Sequence, residues 1–148
     1  MAIKLIYDKY QNDIGFTYGQ NEDNHQHTVI TKINGNDINK NRNLSIFTWG
    51  IKKHEAVECD IVFDATLFST KTNVDVKDLT GLDEIIQTSI INHPMFDLIM
   101  EKIITEIETN NPQSIGIYCN YGKHRSVGWA ELLKKLYYNK SIINHKGL

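Results

Sequence analysis

The sequence predicts an α/β fold in which a small sheet with a parallel central pair of strands is flanked by helices. Two short apolar runs, at residues 60–65 and 114–119, have the pattern of buried strands. Between them, apolar residues recur every three or four positions from Phe96 to Ile107, which is typical of an amphipathic helix. Strands that alternate with helices in this way favour a parallel sheet.

The first 43 residues predict a β-rich extension, which we expect to form a small β-meander. Three short strand candidates occur there, at residues 2–7, 14–18 and 27–33. The Asn-Gly-Asn-Asp sequence at 34–37 has the composition of a turn. We therefore expect a single domain over residues 1–148, with this extension attached to an α/β core at 44–148.

The elements of the core follow from the same patterns. They are strands at 44–49, 60–65, 114–119 and 141–144, and helices at 84–92, 94–110 and 127–138. Asp83 can cap the first helix, and Pro94 suits the first turn of the second helix because its missing N–H is not needed there. The polar stretch at 69–78 is long for a loop without regular structure, which indicates a lid or binding loop.

The composition is that of a soluble globular domain with free thiols. Of the 148 residues, 41% are apolar and 23% are charged, and the formal net charge is −2. This balance does not indicate a general nucleic-acid surface. Cys59 and Cys119 form no CxxC pair and indicate a reducing compartment. Abundant isoleucine and asparagine with only two prolines are typical of an AT-rich genome, such as that of a low-GC bacterium or its phage.

We expect no metal, cofactor or membrane partner. His25 and His27 flank one residue, but no third ligand is evident beside them. The N-terminus lacks the pattern of a signal peptide, and no apolar run reaches membrane-spanning length. These features predict a cytoplasmic protein, in a bacterium or in the host of a phage. An added strand edge in the first 43 residues could serve homo-oligomerisation.

The segment at 119–126, Cys-Asn-Tyr-Gly-Lys-His-Arg-Ser, predicts a phosphate-binding loop between a strand and a helix. Ligands of parallel sheets bind beyond the carboxyl ends of strands, where a helix start offers free N–H groups. Gly122 allows successive N–H groups to converge on one anion, Arg125 offers a planar fork, and Lys123 and His124 add charge or donors. The candidate binding residues are therefore Cys119, Asn120, Tyr121, Gly122, Lys123, His124, Arg125 and Ser126.

The same loop has the Cys-x5-Arg spacing of cysteine-dependent phosphatases. A cysteine at a helix start beside basic residues is expected to have a lowered pKa and to be nucleophilic. Such phosphatases carry a histidine just before the cysteine, where this sequence has Tyr118, and they need a general acid. Asp64, at the end of a neighbouring strand, is one candidate acid, and Asp75 and Asp78 are others. Catalysis by Cys119 with Asp64 is thus an alternative to anion binding alone.

Five pieces of the sequence share their order and spacing with one bacterial family. They are Val62-Phe63-Asp64, Leu79-Thr80-Gly81-Leu82-Asp83, His93-Pro94, Cys119 to Val127, and Ala130-Glu131-x-Leu133. Residues 44–148 therefore resemble the C-terminal domain of the RNase adapter RapZ. The first 43 residues stand where that family has a half similar to P-loop ATPases. The resemblance implies an α/β domain whose loop binds an amino-sugar phosphate and which contacts a small regulatory RNA.

Departures from the family pattern change the expected ligand. The family loop reads Cys-Thr-Gly-Gly, whereas this sequence has Asn120 and Tyr121, and the tyrosine could stack on a base or sugar. Thr66 and Thr72 stand in place of an arginine and a histidine of the family pocket, while Asp64 is retained. The resemblance thus implies a retained phosphate subsite and a rebuilt sugar subsite.

We therefore expect a sensor or sequestering module for a phosphorylated sugar or nucleotide. A Cys119-dependent phosphatase or phosphodiester-cleaving enzyme is the first alternative, and an RNA-binding adapter is the second.

Overall fold

A computed structural model of the chain describes residues 2–5, 27–70, 72 and 74–148. The described strands are β1 (Ile3–Lys4), β2 (Lys32–Ile33), β3 (Asn36–Asp37), β4 (Ser45–Gly50), β5 (Ile61–Asp64), β6 (Ser114–Cys119) and β7 (Ile142–His145). The described helices are α1 (Glu84–Ile91), α2 (Phe96–Asn110) and α3 (Arg125–Leu136). Five of these strands form a parallel sheet in the order β1-β5-β6-β4-β7, and β2 pairs antiparallel with β3. The predicted α/β class is confirmed.

The core elements lie within two residues of their predicted bounds at each end. The parallel arrangement extends beyond the expected central pair to all five strands of the main sheet. Asp83 occupies the N-cap position of α1, but its carboxylate accepts the Thr80 N–H (2.7 Å) and caps no helix N–H. Pro94 precedes α2 by two residues, with Met95 as the N-cap. None of the helices in the described ranges is long and apolar enough to cross a membrane.

The N-terminal segment contributes an edge to the main sheet. Ile3 pairs in parallel with Phe63 and Lys4 with Asp64, and the Leu5 N–H continues the ladder to the Asp64 carbonyl at 2.7 Å. In the described residues, β1 joins the main sheet beside β5 instead of pairing with the next N-terminal strand, and the antiparallel pairing of this segment is confined to β2 and β3. The strand candidate at 14–18 lies outside the described residues.

The strand expected at 27–33 is shortened to its last two residues. The N–H of Thr28 donates to the Asp97 carboxylate, and that of Ile30 donates to the Tyr137 hydroxyl at 3.0 Å. These side-chain acceptors on α2 and just after α3 take the place of a neighbouring strand. His27 lies between the same two residues, with Nδ1 2.6 Å from Asp97 and Nε2 2.7 Å from the Tyr137 hydroxyl.

The hydrophobic core lies between the sheet and the helices. Alternate residues of the strands point into it because successive side chains of a strand lie on opposite faces. The buried core residues of β4, β5 and β6 are Ile46, Phe63, Ile115, Ile117 and Cys119. From α2, Phe96 stacks on Trp129 of α3 at 5.1 Å, and Phe68 packs edge-on against the same indole at 5.1 Å. This packing fixes α3, and with it the loop that precedes α3.

The opposite face of the sheet is crossed by residues 51–60, which connect β4 to β5 over β6. Trp49 and Tyr118 stack on this face at 5.6 Å. A Cβ on Gly116 would lie 2.6 Å from the Trp49 ring and 3.2 Å from the Cys59 sulfur, so indole and thiol cover this part of β6. The crossing segment begins at the carboxyl end of β4, beside the end of β6, and therefore starts next to the loop.

A charged cluster around Glu108 connects α2 to the segment before β4 and to the residues that follow α3. The Glu108 carboxylate accepts hydrogen bonds from Arg42 Nε (2.7 Å), the Tyr138 hydroxyl (2.7 Å) and the Asn39 N–H (3.1 Å). Burial acts to raise the pKa of the Glu108 carboxyl, but these donors and the Arg42 charge outweigh it and lower the pKa. Burial and the Glu108 carboxylate raise the pKa of the Tyr138 hydroxyl above its ordinary range.

We predict that acid weakens this cluster. Because the pKa of Glu108 is lower in the folded state, its contribution is complete above the unfolded value of about 4.3 and is lost as pH falls through the folded value. Glu108→Gln should cost about 1.5–3 kcal/mol at neutral pH and should flatten the acid limb of the stability curve. Urea unfolding at several pH values measures both effects. Glu101→Gln, at an exposed position of the same helix, is the control; equal pH dependence of all three proteins would contradict the prediction.

Candidate phosphate-binding site

The loop between β6 and α3 lies at the carboxyl edge of the parallel sheet. Gly122 has a φ of 75°, a left-handed conformation that a side chain would strain. Within the described residues, the N–H groups of residues 123–125 make no hydrogen bond. Unpaired N–H groups at a helix start attract anions, because they carry a partial positive charge.

Two glycines bring the loop into contact with the end of β4. A Cβ on Gly122 would lie 2.5 Å from the Gly50 nitrogen, and a Cβ on Gly50 would lie 2.3 Å from the Tyr121 carbonyl carbon. Such distances leave no room for a side chain. The N–H groups of residues 51–52 donate to the carbonyl oxygens of residues 119–120 at 2.8 and 3.0 Å. The chain that leaves β4 is thus fixed against the loop.

The Cys119 thiol lies beneath the loop, in contact with its backbone. The Gly122 N–H donates to its sulfur at 3.3 Å, and the Ser126 hydroxyl lies 3.2 Å from the same atom. Burial acts to raise the pKa of the Cys119 thiol. The hydroxyl and N–H of Ser126, the Gly122 N–H and the charge of Arg125 oppose that effect and lower the pKa. Ser126 is fully buried and is directed at the sulfur.

Arg125 and His124 are held by carbonyl groups of two other segments. Arg125 Nη1 donates to the carbonyl oxygens of Thr66 and, at 3.1 Å, Phe68. His124 Nε2 lies 2.6 Å from the Leu79 carbonyl oxygen, so this nitrogen carries a hydrogen. Both side chains are therefore oriented before any ligand binds.

The start of α3 is braced by the segment at 79–83, which is one of the pieces on which the family resemblance rests. The Gly81 N–H donates to the Lys123 carbonyl at 2.7 Å. A Cβ on Gly81 would lie 2.1 Å from the Gly128 nitrogen and 2.6 Å from the His124 carbonyl oxygen. Only glycine allows this approach, which explains physically why a glycine lies in the middle of this piece.

A cavity of about 480 Å³ opens above the loop. It is lined by Lys53, His54, Cys119, Tyr121, Lys123, His124, Arg125 and Gly147. These lining residues of the described chain include five basic side chains and no carboxylate. Tyr121 is 53% exposed, and the amino groups of Lys52 and Lys53 lie 5.6 and 5.9 Å from its ring centre.

Sequence reasoning missed Lys53 and His54 as members of this site. A signal was present, because the strands predicted at 44–49 and 114–119 both end where basic residues follow. Adjacent parallel strands place their following residues side by side. The sequence did not predict that β4 and β6 are neighbours in the sheet, with Gly50 paired to Cys119.

A second cavity, of about 250 Å³, adjoins the first across Arg125 and His124. Its other lining residues are Phe68, Ser69, Thr70, Thr72, Val76, Ile86 and Ile90. The structure therefore places Thr72 in a cavity that adjoins the loop. The Thr72 hydroxyl donates to the Val74 carbonyl at 2.9 Å.

Asp64 and Thr66 lie at the end of β5, apart from the Cys119 sulfur. Asp64 pairs with Tyr118, so its side chain emerges on the face opposite that of Cys119. Its carboxylate accepts the N–H (2.8 Å) and hydroxyl (2.6 Å) of Thr66. Burial, and after it the Asp64 carboxylate, raise the pKa of Tyr118. Thr66 reaches the site through its carbonyl, which holds Arg125. Neither Asp64 nor Thr66 lines the two cavities.

Metal-type residues do not cluster in the described chain. No group of three or more His, Cys, Asp or Glu side chains that could hold a metal ion occurs among the residues described above. His25 lies outside the described residues.

Comparison with known families supports the resemblance drawn from the loop. The family described as the RapZ C-terminal domain matches residues 42–147, which is most of the chain. The chain belongs to this family. The match includes the loop, the bracing segment at 79–83 and all elements from β4 to β7.

Curated relatives carry the name nucleotide-binding protein. One from Thermotoga sp. (strain RQ2) is 28% identical over 120 residues, covering 74% of this chain and 41% of the relative. One from Listeria monocytogenes serotype 4a (strain HCC23) is 25% identical over 118 residues, covering 72% and 40%. One from Tolumonas auensis is 33% identical over 96 residues, covering 58% and 33%. This RapZ C-terminal domain chain thus spans about two-fifths of the length of the first two relatives.

We predict that the pKa of the Cys59 thiol lies above the ordinary thiol value and that the pKa of the Cys119 thiol lies below it. Burial and Asp60 raise the pKa of Cys59, whereas the loop lowers that of Cys119. Ultraviolet absorbance of the thiolate, followed against pH, should show two steps. Cys119→Ser should remove the lower step and Cys59→Ser the upper one. Persistence of the lower step in Cys119→Ser would contradict the geometry of the loop.

Proposed function

We propose that this chain binds a phosphorylated small molecule, of nucleotide or sugar-phosphate type, at residues 119–126, as a sensor or sequestering module. The observation that carries the proposal is the 480 Å³ cavity, whose lining within the described residues holds five basic side chains and no carboxylate. The N–H groups at 123–125, which have no hydrogen-bond partner in the part of the chain that the structure describes, lie at the start of α3 beside this cavity. Charge and donors together favour an anion there.

The fixed orientation of the donors supports binding of a phosphate group. Arg125 donates hydrogen bonds from Nη1 to two carbonyl groups. These bonds hold its guanidinium at the junction of the two cavities. A donor that is already ordered loses little side-chain entropy when the ligand arrives. We place the phosphate against Arg125, Lys123 and the N–H groups, and the organic part towards Thr72 and Tyr121.

The names of the relatives support the same class of ligand. Those proteins are called nucleotide-binding, and this chain covers about two-fifths of the first two. The name belongs to the whole relatives and does not itself locate binding in the shared part. The local geometry therefore remains the main support for a site in this domain.

We predict that binding depends on Lys123 and Arg125. Lys123→Ala should weaken binding of inorganic phosphate and AMP by about three- to tenfold, and Arg125→Ala by about tenfold or more. Lys123 is the cleaner test, because Arg125 also holds residues 66–68. Isothermal titration calorimetry at fixed ionic strength measures the affinities, with Lys140→Ala as a charge-matched control. Equal affinities in all four proteins, or no binding by the unmodified chain, would contradict the proposal.

A second candidate function is phosphoryl transfer through Cys119. The lowered pKa of its thiol and its place in the cavity lining favour attack of the thiolate on phosphorus. The leaving oxygen then needs a proton. Asp64 faces the other side of the sheet, and the cavity lining offers His54 and His124 as titratable donors instead.

Hydrolysis of p-nitrophenyl phosphate separates the two candidates. An enzyme should turn the ester over, lose all activity in Cys119→Ser, and keep it in Cys59→Ser. A pure binding module should show no turnover in any of the three while phosphate still binds. Activity that survives Cys119→Ser would exclude the cysteine as nucleophile.

A further inference from the structure

The cationic cavity has two walls, and the proposed phosphate loop forms only one of them. The second wall comes from the turn at 50–54, which follows β4, and from Gly147 after β7. Lys53 and His54 of this turn line the same cavity as Lys123 and Arg125. Only the first wall has the glycine and the helix start of a phosphate loop. The loop therefore does not explain why basic residues also line the second wall.

The turn is held rigidly against the loop. The N–H groups of Lys53 and His54 both donate to the Gly50 carbonyl at 2.9 Å. Residues 51–52 are bonded to residues 119–120, and Gly50 touches the loop backbone. The side chains of the second wall therefore start from a fixed backbone, which favours their use as binding groups.

His54 presents a defined hydrogen-bond donor. Its Nδ1 accepts the Gly50 N–H at 3.0 Å, so the neutral ring carries its hydrogen on Nε2. In the described part of the chain, Nε2 makes no hydrogen bond, and Lys53 takes part in no ion pair. Both groups are thus available to an acceptor in the cavity.

The charges of the cavity exceed what one phosphate group balances. Lys53, Lys123 and Arg125 contribute three full positive charges, and no carboxylate of the described residues lines the cavity. A phosphate monoester carries about 1.5 to 2 negative charges at neutral pH. A second phosphate group would add the negative charge that balances the third cation.

We infer that Lys53 and His54 form a second anion subsite, which accepts the second phosphate group of a diphosphate-bearing small molecule such as a nucleoside diphosphate. The inference rests on the proposed function, since the first phosphate group occupies the loop. It assigns the ligand class through the second wall: diphosphates bind across both walls, and monophosphates bind the loop alone.

The test compares AMP with ADP, and inorganic phosphate with pyrophosphate, by titration calorimetry of the full chain at fixed ionic strength. The unmodified chain should bind the diphosphate of each pair about tenfold more tightly, the effect of one added charge-assisted contact. Lys53→Ala and His54→Asn should each weaken ADP binding several-fold more than AMP binding, and so remove most of this preference. Asn at 54 keeps an acceptor for the Gly50 N–H, and thermal melting checks that the fold is retained.

Lys140→Ala, which removes a charge from an exposed position outside the cavity, should leave the preference unchanged. Equal affinity of the unmodified chain for AMP and ADP would overturn the second subsite and leave the phosphate loop standing. Equal losses for AMP and ADP in both second-wall variants would likewise overturn it. Failure of every anion to bind would overturn the proposed function together with the subsite.

Discussion

The contact between the backbones of Gly50 and Gly122 is the constraint on which the site depends. It joins the end of β4 to the loop that follows β6, and the distances leave no space for a side chain on either residue. Through this contact the turn at 50–54 lies over the loop, and Lys53 and His54 reach the same cavity as Arg125. If the Gly50 and Gly122 backbones lay farther apart, the turn and the loop would no longer line one cavity.

The loop is fixed from its other sides by backbone carbonyls and a second glycine. Gly81 packs against the first turn of α3, Leu79 holds His124, and the 66–68 segment holds Arg125. These contacts occupy Nη1 of Arg125 and Nε2 of His124, whereas Nε and Nη2 of Arg125 make no hydrogen bond within the described residues. A proposed binding site held in this way has its geometry set before a ligand arrives, which lowers the entropy cost of binding.

The sequence predicted the α/β class and the core elements because each carries a periodic pattern over at least four residues. It also predicted the loop at 119–126 as a candidate site, because glycine and three successive basic residues follow a buried strand. The two-residue β1 could not be assigned to the main sheet, because so short a strand has no periodicity that distinguishes its partner. Residues 27–31 have a strand-like pattern but bond to Asp97 and Tyr137 instead.

The register between strands determines which side chains lie near Cys119, and the sequence did not predict that register. Asp64 was expected near Cys119 because both end strands at the same edge, yet its pairing with Tyr118 directs it to the other face. The pairing of Gly50 with Cys119 brought Lys53 and His54 into the site by the same logic. Hydrophobic patterns report which residues are buried, whereas the order and register of strands arise from packing across the whole sheet.

The most direct test of the central claim is a titration of the isotope-labelled protein with inorganic phosphate, followed by amide chemical shifts. If the loop binds the phosphate group, the largest shifts will occur at the backbone N–H groups of residues 122–126. Absence of saturable shifts there, or larger shifts at a distant surface such as β2 and β3, would contradict a phosphate site in this loop.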